Sequence, residues 1–181
     1  ELADFLDIPF DETVNQRLRG VSRMESLKII LEAADRNFSD QEKIELAERK
    51  NERYRNLLLK LTPADVGDDI RETLGVLLAV GSSSKNTPLI LNQVGLENWF
   101  DAVADGNDIT RSKPDPEVFL LAAEKLGLPP SECMVVEDAE AGIEAAKKGG
   151  MYAAGIGEAA KSINADESLK TFSELVDIVD K

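Results

Sequence analysis

Met134-Val135-Val136 runs straight into Glu137-Asp138, and residues 139–148 then read as an amphipathic helix. A short apolar run, a polar junction and a helix form one half of a strand-helix-strand crossover. The same alternation recurs on both sides. Apolar runs at Val76–Val80, Ala102–Ala104 and Tyr152–Ile156 predict further strands, and helices are predicted over 86–95, 116–126 and 168–179. Strands separated by helices argue for an α/β fold with a parallel sheet, and ligand sites in such sheets lie at the carboxyl ends of the strands.

The first third of the chain follows another pattern. Two Ser-x-x-Glu capping boxes, Ser22 with Glu25 and Ser39 with Glu42, announce helix starts. After the first, Leu27, Ile30, Leu31 and Ala34 share one helical face; after the second, residues 39–60 read as a long, highly charged helix. The expected division is a helical domain over 1–62 and a sheet domain over 63–181. Two junctions look short: a helix of about two turns at 68–74 before Gly75, and a passage from Asn164 to Ser168 that enters a helix without a strand. Missing residues are the expectation at both.

Composition narrows the function. The chain has 181 residues, with 21 basic against 35 acidic residues and a formal charge of -14. That field repels nucleic-acid phosphates and anionic lipid at long range, so neither is an expected partner. Small phosphorylated molecules are not disfavoured, because a few local cations can reverse the field in one pocket. With no histidine, chemistry falls to carboxylates, lysines, arginines and hydroxyls. Cys133 is the single cysteine, which excludes an internal disulfide, and its apolar setting predicts a buried small hydrophobe. No apolar run is long enough to span a bilayer, and a cytoplasmic monomer is expected.

Three junctions carry candidate chemistry. After the first predicted strand, Ser82, Ser83, Ser84, Lys85 and Asn86 offer hydroxyls and backbone N–H groups at a helix start, which suits an anion; the alternative is a helix N-cap by Ser84. In the loop after the second, Lys113 can neutralise a transferring phosphoryl group, or it is a solvated loop lysine. After the third, Glu137 and Asp138 are hard oxygen ligands suited to magnesium, or Asp138 caps the following helix. Their order lines up a hydroxyl, a cation and a metal site along one sheet edge.

That order resembles the later motifs of the haloacid dehalogenase superfamily. Arg19-Gly20-Val21-Ser22-Arg23-Met24-Glu25-Ser26-Leu27, Lys50-Asn51 and Thr62-Pro63-Ala64-Asp65-Val66 further resemble the cap signature of its β-phosphoglucomutase branch. The resemblance, which extends over essentially the whole chain, implies a Rossmann-like core under a helical cap. It also implies magnesium-dependent exchange of phosphate between C1 and C6 of β-glucose phosphates, through a 1,6-bisphosphate and an aspartyl-phosphate. By position, Arg23 would grip the phosphate not being transferred, with Arg19, Gly20, Val21 and Lys50 ordering the cap over the sugar. Ser82, Ser84 and Asn86 would line the phosphate and sugar side, Lys113 would meet the transferring group, and Glu137 with Asp138 would hold magnesium. Ser82 and Lys113 are the expected catalytic residues.

One departure is large: the family's Asp-x-Asp-Gly nucleophile motif does not occur, and Asp4 and Asp7 do not replace it. The resemblance therefore implies that about 25 residues with the central strand precede this stretch, and that these 181 residues alone are inactive. A phosphatase of the same superfamily acting on a sugar phosphate, and a silent sugar-phosphate-binding protein, are the alternatives.

Overall fold

The structure, a computed structural model, describes residues 2–60 and 76–179. The Thr62–Val66 signature, the short helix expected at 68–74 and the boundary at 62/63 lie outside the described residues.

Helices α1 (Leu2–Phe5), α2 (Glu12–Arg17), α3 (Arg23–Leu31) and α4 (Asp40–Leu58) make up the first part. Both serines cap their helices, but only one of the two expected boxes closes in full, since the Glu25 carboxylate pairs with Lys28 instead. Ser22 Oγ accepts from Glu25 N at 3.3 Å, while Ser39 and Glu42 make the full reciprocal box, each side chain bonding the other's backbone N–H. The face predicted for α3 turns inward: Leu27 and Ile30 are buried, and Ile30 packs with Ala3, Ile8, Leu31 and Ala34. α4 carries charge along most of its length and buries only Ala47 and Leu58.

Strand and helix alternate as predicted up to the fourth strand, and one further strand then precedes the last helix: β1 (Ala79–Gly81), α5 (Thr87–Gln93), β2 (Ala102–Ala104), α6 (Glu117–Leu126), β3 (Met134–Glu137), α7 (Glu140–Lys148), β4 (Tyr152–Ile156), β5 (Glu167–Leu169) and α8 (Glu174–Val179). All strand pairs are parallel, in two groups. β1 pairs with β2, Gly81 opposite Ala104, and β4 lies between β3 and β5, with Glu137 opposite Gly155. α6 packs on β1 and β2 through Val118, Phe119, Ala122 and Ala123, and α7 packs on β3 and β4 through Ile143, Ala145 and Ala146. Small side chains dominate these contacts, so the helices lie close to the sheet. α6 stops at Gly127, whose φ of 72° allows Leu128 N to reach back to Ala123 O.

Several expectations need correcting. The first strand begins at Ala79 rather than Val76, because pairing starts where Asp101 accepts Leu78 N and Leu78 O accepts Ala102 N. The passage from Asn164 to Ser168 does contain a strand. Its residues, Glu167-Ser168-Leu169, lack apolar alternation, but Asp166 accepts Ala153 N at 2.8 Å, pairs with Lys147 and so anchors β5 beside β4. The last helix accordingly starts at Glu174. Cys133 is half-buried at the rim of the core, with Sγ 3.5 Å from Pro129 O, rather than fully enclosed. No described helix is long and apolar enough to cross a membrane.

Candidate active site

The carboxyl ends of β1 and β3 are tied together by one side chain. Lys113, in the loop between β2 and α6, donates through Nζ to Gly81 O at 3.2 Å and ion-pairs with Glu137 Oε1. It is far from the solvated loop lysine that its sequence setting also allowed: Lys113 is 5 % and Glu137 8 % exposed. Burying two charges is costly, and the pair persists only if each satisfies the other. The aromatic face of Phe119 adds to the cradle, 4.5 Å from Nζ. Backbone hydrogen bonding fixes the loop as well, since Lys113 N donates to Ser83 Oγ at 3.3 Å, and the Lys113–Pro114 peptide is cis.

Two glycines make room for this arrangement. A Cβ on Gly81 would lie 2.6 Å from Phe119 Cδ1, and one on Gly142, in the first turn of α7, would overlap the Glu137 carboxyl. Neither glycine stands out in the sequence, because the partners are distant along the chain. Glycine between small residues of a helix gives no sign of a carboxylate behind it.

Asp138 follows Glu137 but stands apart from the pair. It is exposed, bonds no described residue and does not cap α7, whose N-cap is Ala139 without a side-chain bond. The capping alternative is therefore not realised. Among the described residues no three Asp, Glu, Cys or His side chains cluster as a metal cage. The donors that fit a hard cation are Asp138 and the Glu137 oxygen that Lys113 does not take.

The loop after β1 is a chain of local caps. Ser82 Oγ accepts from Ser84 N, Ser84 Oγ accepts from Asn86 N, both at 3.1 Å, and Thr87 Oγ1 donates to Ser84 O. Ser84 thus caps Asn86 rather than α5 itself, and Asn86 is the N-cap, with no side-chain bond to its own helix. Among the described residues the N–H groups of Ser83 and Lys85 make no hydrogen bond, and Lys85 N lies close to Gly106, where a Cβ would come within 2.8 Å of it. A second loop braces this one. Gly106 N donates to Ser84 O, Asn107 Nδ2 donates to Lys85 O, and the buried carboxylate of Asp105 accepts from both Asn107 nitrogens.

The helical part sits over these loops. Gly20, with φ 71°, comes so close to the sheet side that a Cβ there would lie 3.2 Å from Ala139 Cβ and 3.9 Å from Lys113 Cδ. Asn86 Nδ2 donates across to Asn51 Oδ1 at 3.0 Å. Arg19 lies near enough to Glu158, beyond β4, to help hold that carboxyl below its usual range, after the larger effect of Lys161. Lys50 Nζ donates to Ser26 Oγ at 2.8 Å. Burial, and secondarily the nearby Arg23 charge, push the Lys50 ammonium below the usual lysine range. Arg23 itself pairs with Glu48 at 3.1 Å. The structure thus gathers Gly20, Ser82, Ser84, Asn86, Lys113 and Glu137, with Arg23 and Lys50 in the helices above. Val21 is half-buried and makes no side-chain bond.

Chemically, the arrangement offers a buried ammonium, a free carboxylate at a strand end, unpaired N–H groups in a serine-rich loop and two further cations. Chemistry of this kind suits a small, highly charged anion.

Residues 3–150 match the family described as haloacid dehalogenase-like hydrolase. The β-phosphoglucomutase of Bacillus subtilis (strain 168) is 40% identical over 182 residues, covering 96% of this chain and 80% of that protein. A phosphorylated carbohydrates phosphatase of Thermotoga maritima is 31% identical over 151 residues, covering 79% of this chain and 68% of its own. The crystal structure of a β-phosphoglucomutase from Clostridium difficile superimposes with a TM-score of 0.88 at 34% identity, covering 99% of this chain and 84% of that one. The chain belongs to the haloacid dehalogenase-like hydrolase family, in its β-phosphoglucomutase branch.

Proposed function

We propose that the protein is a magnesium-dependent phosphomutase that interconverts β-glucose 1-phosphate and glucose 6-phosphate through the 1,6-bisphosphate, with residues 1–62 as cap and 63–181 as core. The observation that carries this reading is the buried Lys113–Glu137 pair at the joined ends of β1 and β3, roofed by Gly20 of the helical part. A hydrolase needs water at the transferring phosphorus, whereas a mutase must exclude it while a second phosphate is held elsewhere. A roof so close that a single added Cβ would reach the side chain of Lys113 favours exclusion.

In this mechanism Lys113, bonded to Gly81 O, offsets the charge that develops on the transferring phosphoryl group. The free N–H groups of Ser83 and Lys85, with the hydroxyls of Ser82 and Ser84, receive phosphate and sugar oxygens. Arg23 binds the remote phosphate, a task its planar fork suits, once that phosphate displaces the exposed Glu48 carboxylate. Lys50, already partly desolvated, adds a second cation beside it. Arg19, Gly20 and Val21 order the cap against the core. Asp138 and the free oxygen of Glu137 would hold magnesium, which when bound supplies charge neutralisation at the transferring oxygens. The family's aspartyl-phosphate carboxylate has no counterpart in the sequence, so what these residues supply is binding, charge neutralisation and closure.

The phosphatase reading keeps one specific support, the Thermotoga maritima relative named for that activity. Arg23→Ala separates the two. A mutase uses remote phosphate binding to orient the acceptor hydroxyl, so the variant should lose about 100-fold in glucose-phosphate interconversion while hydrolysis of acetyl phosphate falls far less. Arg23→Lys should recover only part. Equal losses in the two assays would make Arg23 a structural residue, and phosphate release without isomer formation by the parent protein would leave the phosphatase reading in its place.

A further inference from the structure

The one direct hydrogen bond between the helical part and the α/β part, among the described residues, joins Asn86 Nδ2 to Asn51 Oδ1. Both ends depart from local preference. Asn86 is the N-cap of α5, a position where asparagine ordinarily turns its oxygen onto the N–H groups of its own first turn, yet its side chain makes no such bond. Asn51 lies inside α4, among Glu, Arg and Lys residues that are better helix formers. Two asparagines thus forgo local stabilisation and meet across the cleft. Asn51 adjoins Lys50 on α4, and Asn86 is buried at the end of the serine loop, so the bond spans the place where a sugar phosphate would enter.

We propose that Asn51 is a positioning residue for the phosphoryl-transfer reaction: its side-chain carbonyl holds the Asn86 amide when the helical part is closed, so that closure and the presentation of Asn86 to the sugar phosphate are one event. The inference rests on the mutase reading for its substrate. It goes beyond that reading by assigning the water-excluding closure to a particular residue pair. Without the bond, the closed state loses its direct polar tie and water competes with the sugar hydroxyl for the phosphoryl group.

A double-mutant cycle tests this. Asn51→Ala should lower kcat/KM for β-glucose 1-phosphate about tenfold, the scale of one neutral hydrogen bond, and should raise the share of turnovers that end in free phosphate. In the Asn86→Ala background the same substitution should cost less than about twofold, because the partner is already gone. Asn51→Asp keeps an acceptor for Asn86 Nδ2 and should hold the phosphate share near the parent value; Asn51→Leu, similar in size without an acceptor, should behave like Asn51→Ala. The Asp and Leu pair carries the comparison if Asn51→Ala melts early. Additive losses in the cycle, or an unchanged phosphate share in Asn51→Leu, would overturn the proposal. A parent protein that carries the family's nucleophile motif and still makes no isomer sinks the mutase reading alone, and the cycle is then read on hydrolysis of the same sugar phosphate.

Discussion

A methyl group at residue 142 would occupy the space that the Glu137 carboxyl now fills. Gly142→Ala should therefore push Glu137 away from Lys113 and leave a buried ammonium without its counter-charge, which costs about 3–5 kcal/mol where such pairs have been broken. Denaturant unfolding should show that loss together with a collapse in activity. Gly149→Ala, where the new Cβ would meet nothing closer than 3.4 Å, should change stability by less than about 1 kcal/mol. Equal behaviour of the two variants would remove the cradle from the account. At this scale the sequence was half legible. It offered Lys113, Glu137, Asp138 and the serine loop by their order along the sheet edge. It could not tell a buried lysine from a solvated one, because burial depends on Phe119, Gly81 and Gly142, none of which advertises the contact. Asn51 was visible as part of a signature and Asn86 as part of the serine loop, but not that the two would meet.

At the scale of elements, local chemistry was read most reliably where a short stretch contains its own reason. Ser39 and Glu42 form the box that their spacing promised, and the Glu42 carboxyl is drawn down to about 2 from an ordinary 4.5, first by the Ser39 backbone N–H, then by Arg36 and the Ser39 hydroxyl. A carboxyl held lower in the folded state contributes stability that is complete above its ordinary value and is lost as the pH falls through about 2. The start of α4 should thus loosen between about pH 4.5 and 2, seen as rising exchange of the Ser39 amide, and Glu42→Gln should abolish that pH dependence. A Ser39 amide equally protected at pH 5 and pH 2.5 would contradict it. β5 escaped prediction for the opposite reason. Glu167-Ser168-Leu169 owes its strand geometry to the edge of β4 and to an Asp166–Lys147 pair from another element, so nothing within it is periodic.

For the molecule as a whole, charge is distributed against its average. The chain carries a formal -14, yet Arg23 and Lys50 lie on the helices over the sheet and Lys113 at the sheet edge, so in the proposed function a phosphate ester must cross a repelling field to reach these local cations. The same field concentrates divalent cations. Asp138→Ala should raise the magnesium concentration needed for half-maximal activity, with activity only partly restored at high magnesium, and added monovalent salt should weaken magnesium activation of the parent. Unchanged magnesium dependence in the variant would take the metal away from this strand end. The alternation of strands and helices made the α/β class legible. How the helical part meets the sheet was not, since Gly20 with Ala139 and Asn51 with Asn86 are contacts between segments far apart in sequence.

Gly20 also works as a spacer of zero thickness. The gap above Ala139 is one in which a methyl group would sit at 3.2 Å, tighter than ordinary contact, and the φ of 71° disfavours any side chain there. The width of the shut cleft is therefore set by a group that is missing, and each carbon added at this position would act as a shim, opening the seam between the two parts by a few tenths of an ångström or more. Position 20 is a place where the tightness of the seal could be adjusted in steps, against Ala139 first and the stem of Lys113 next.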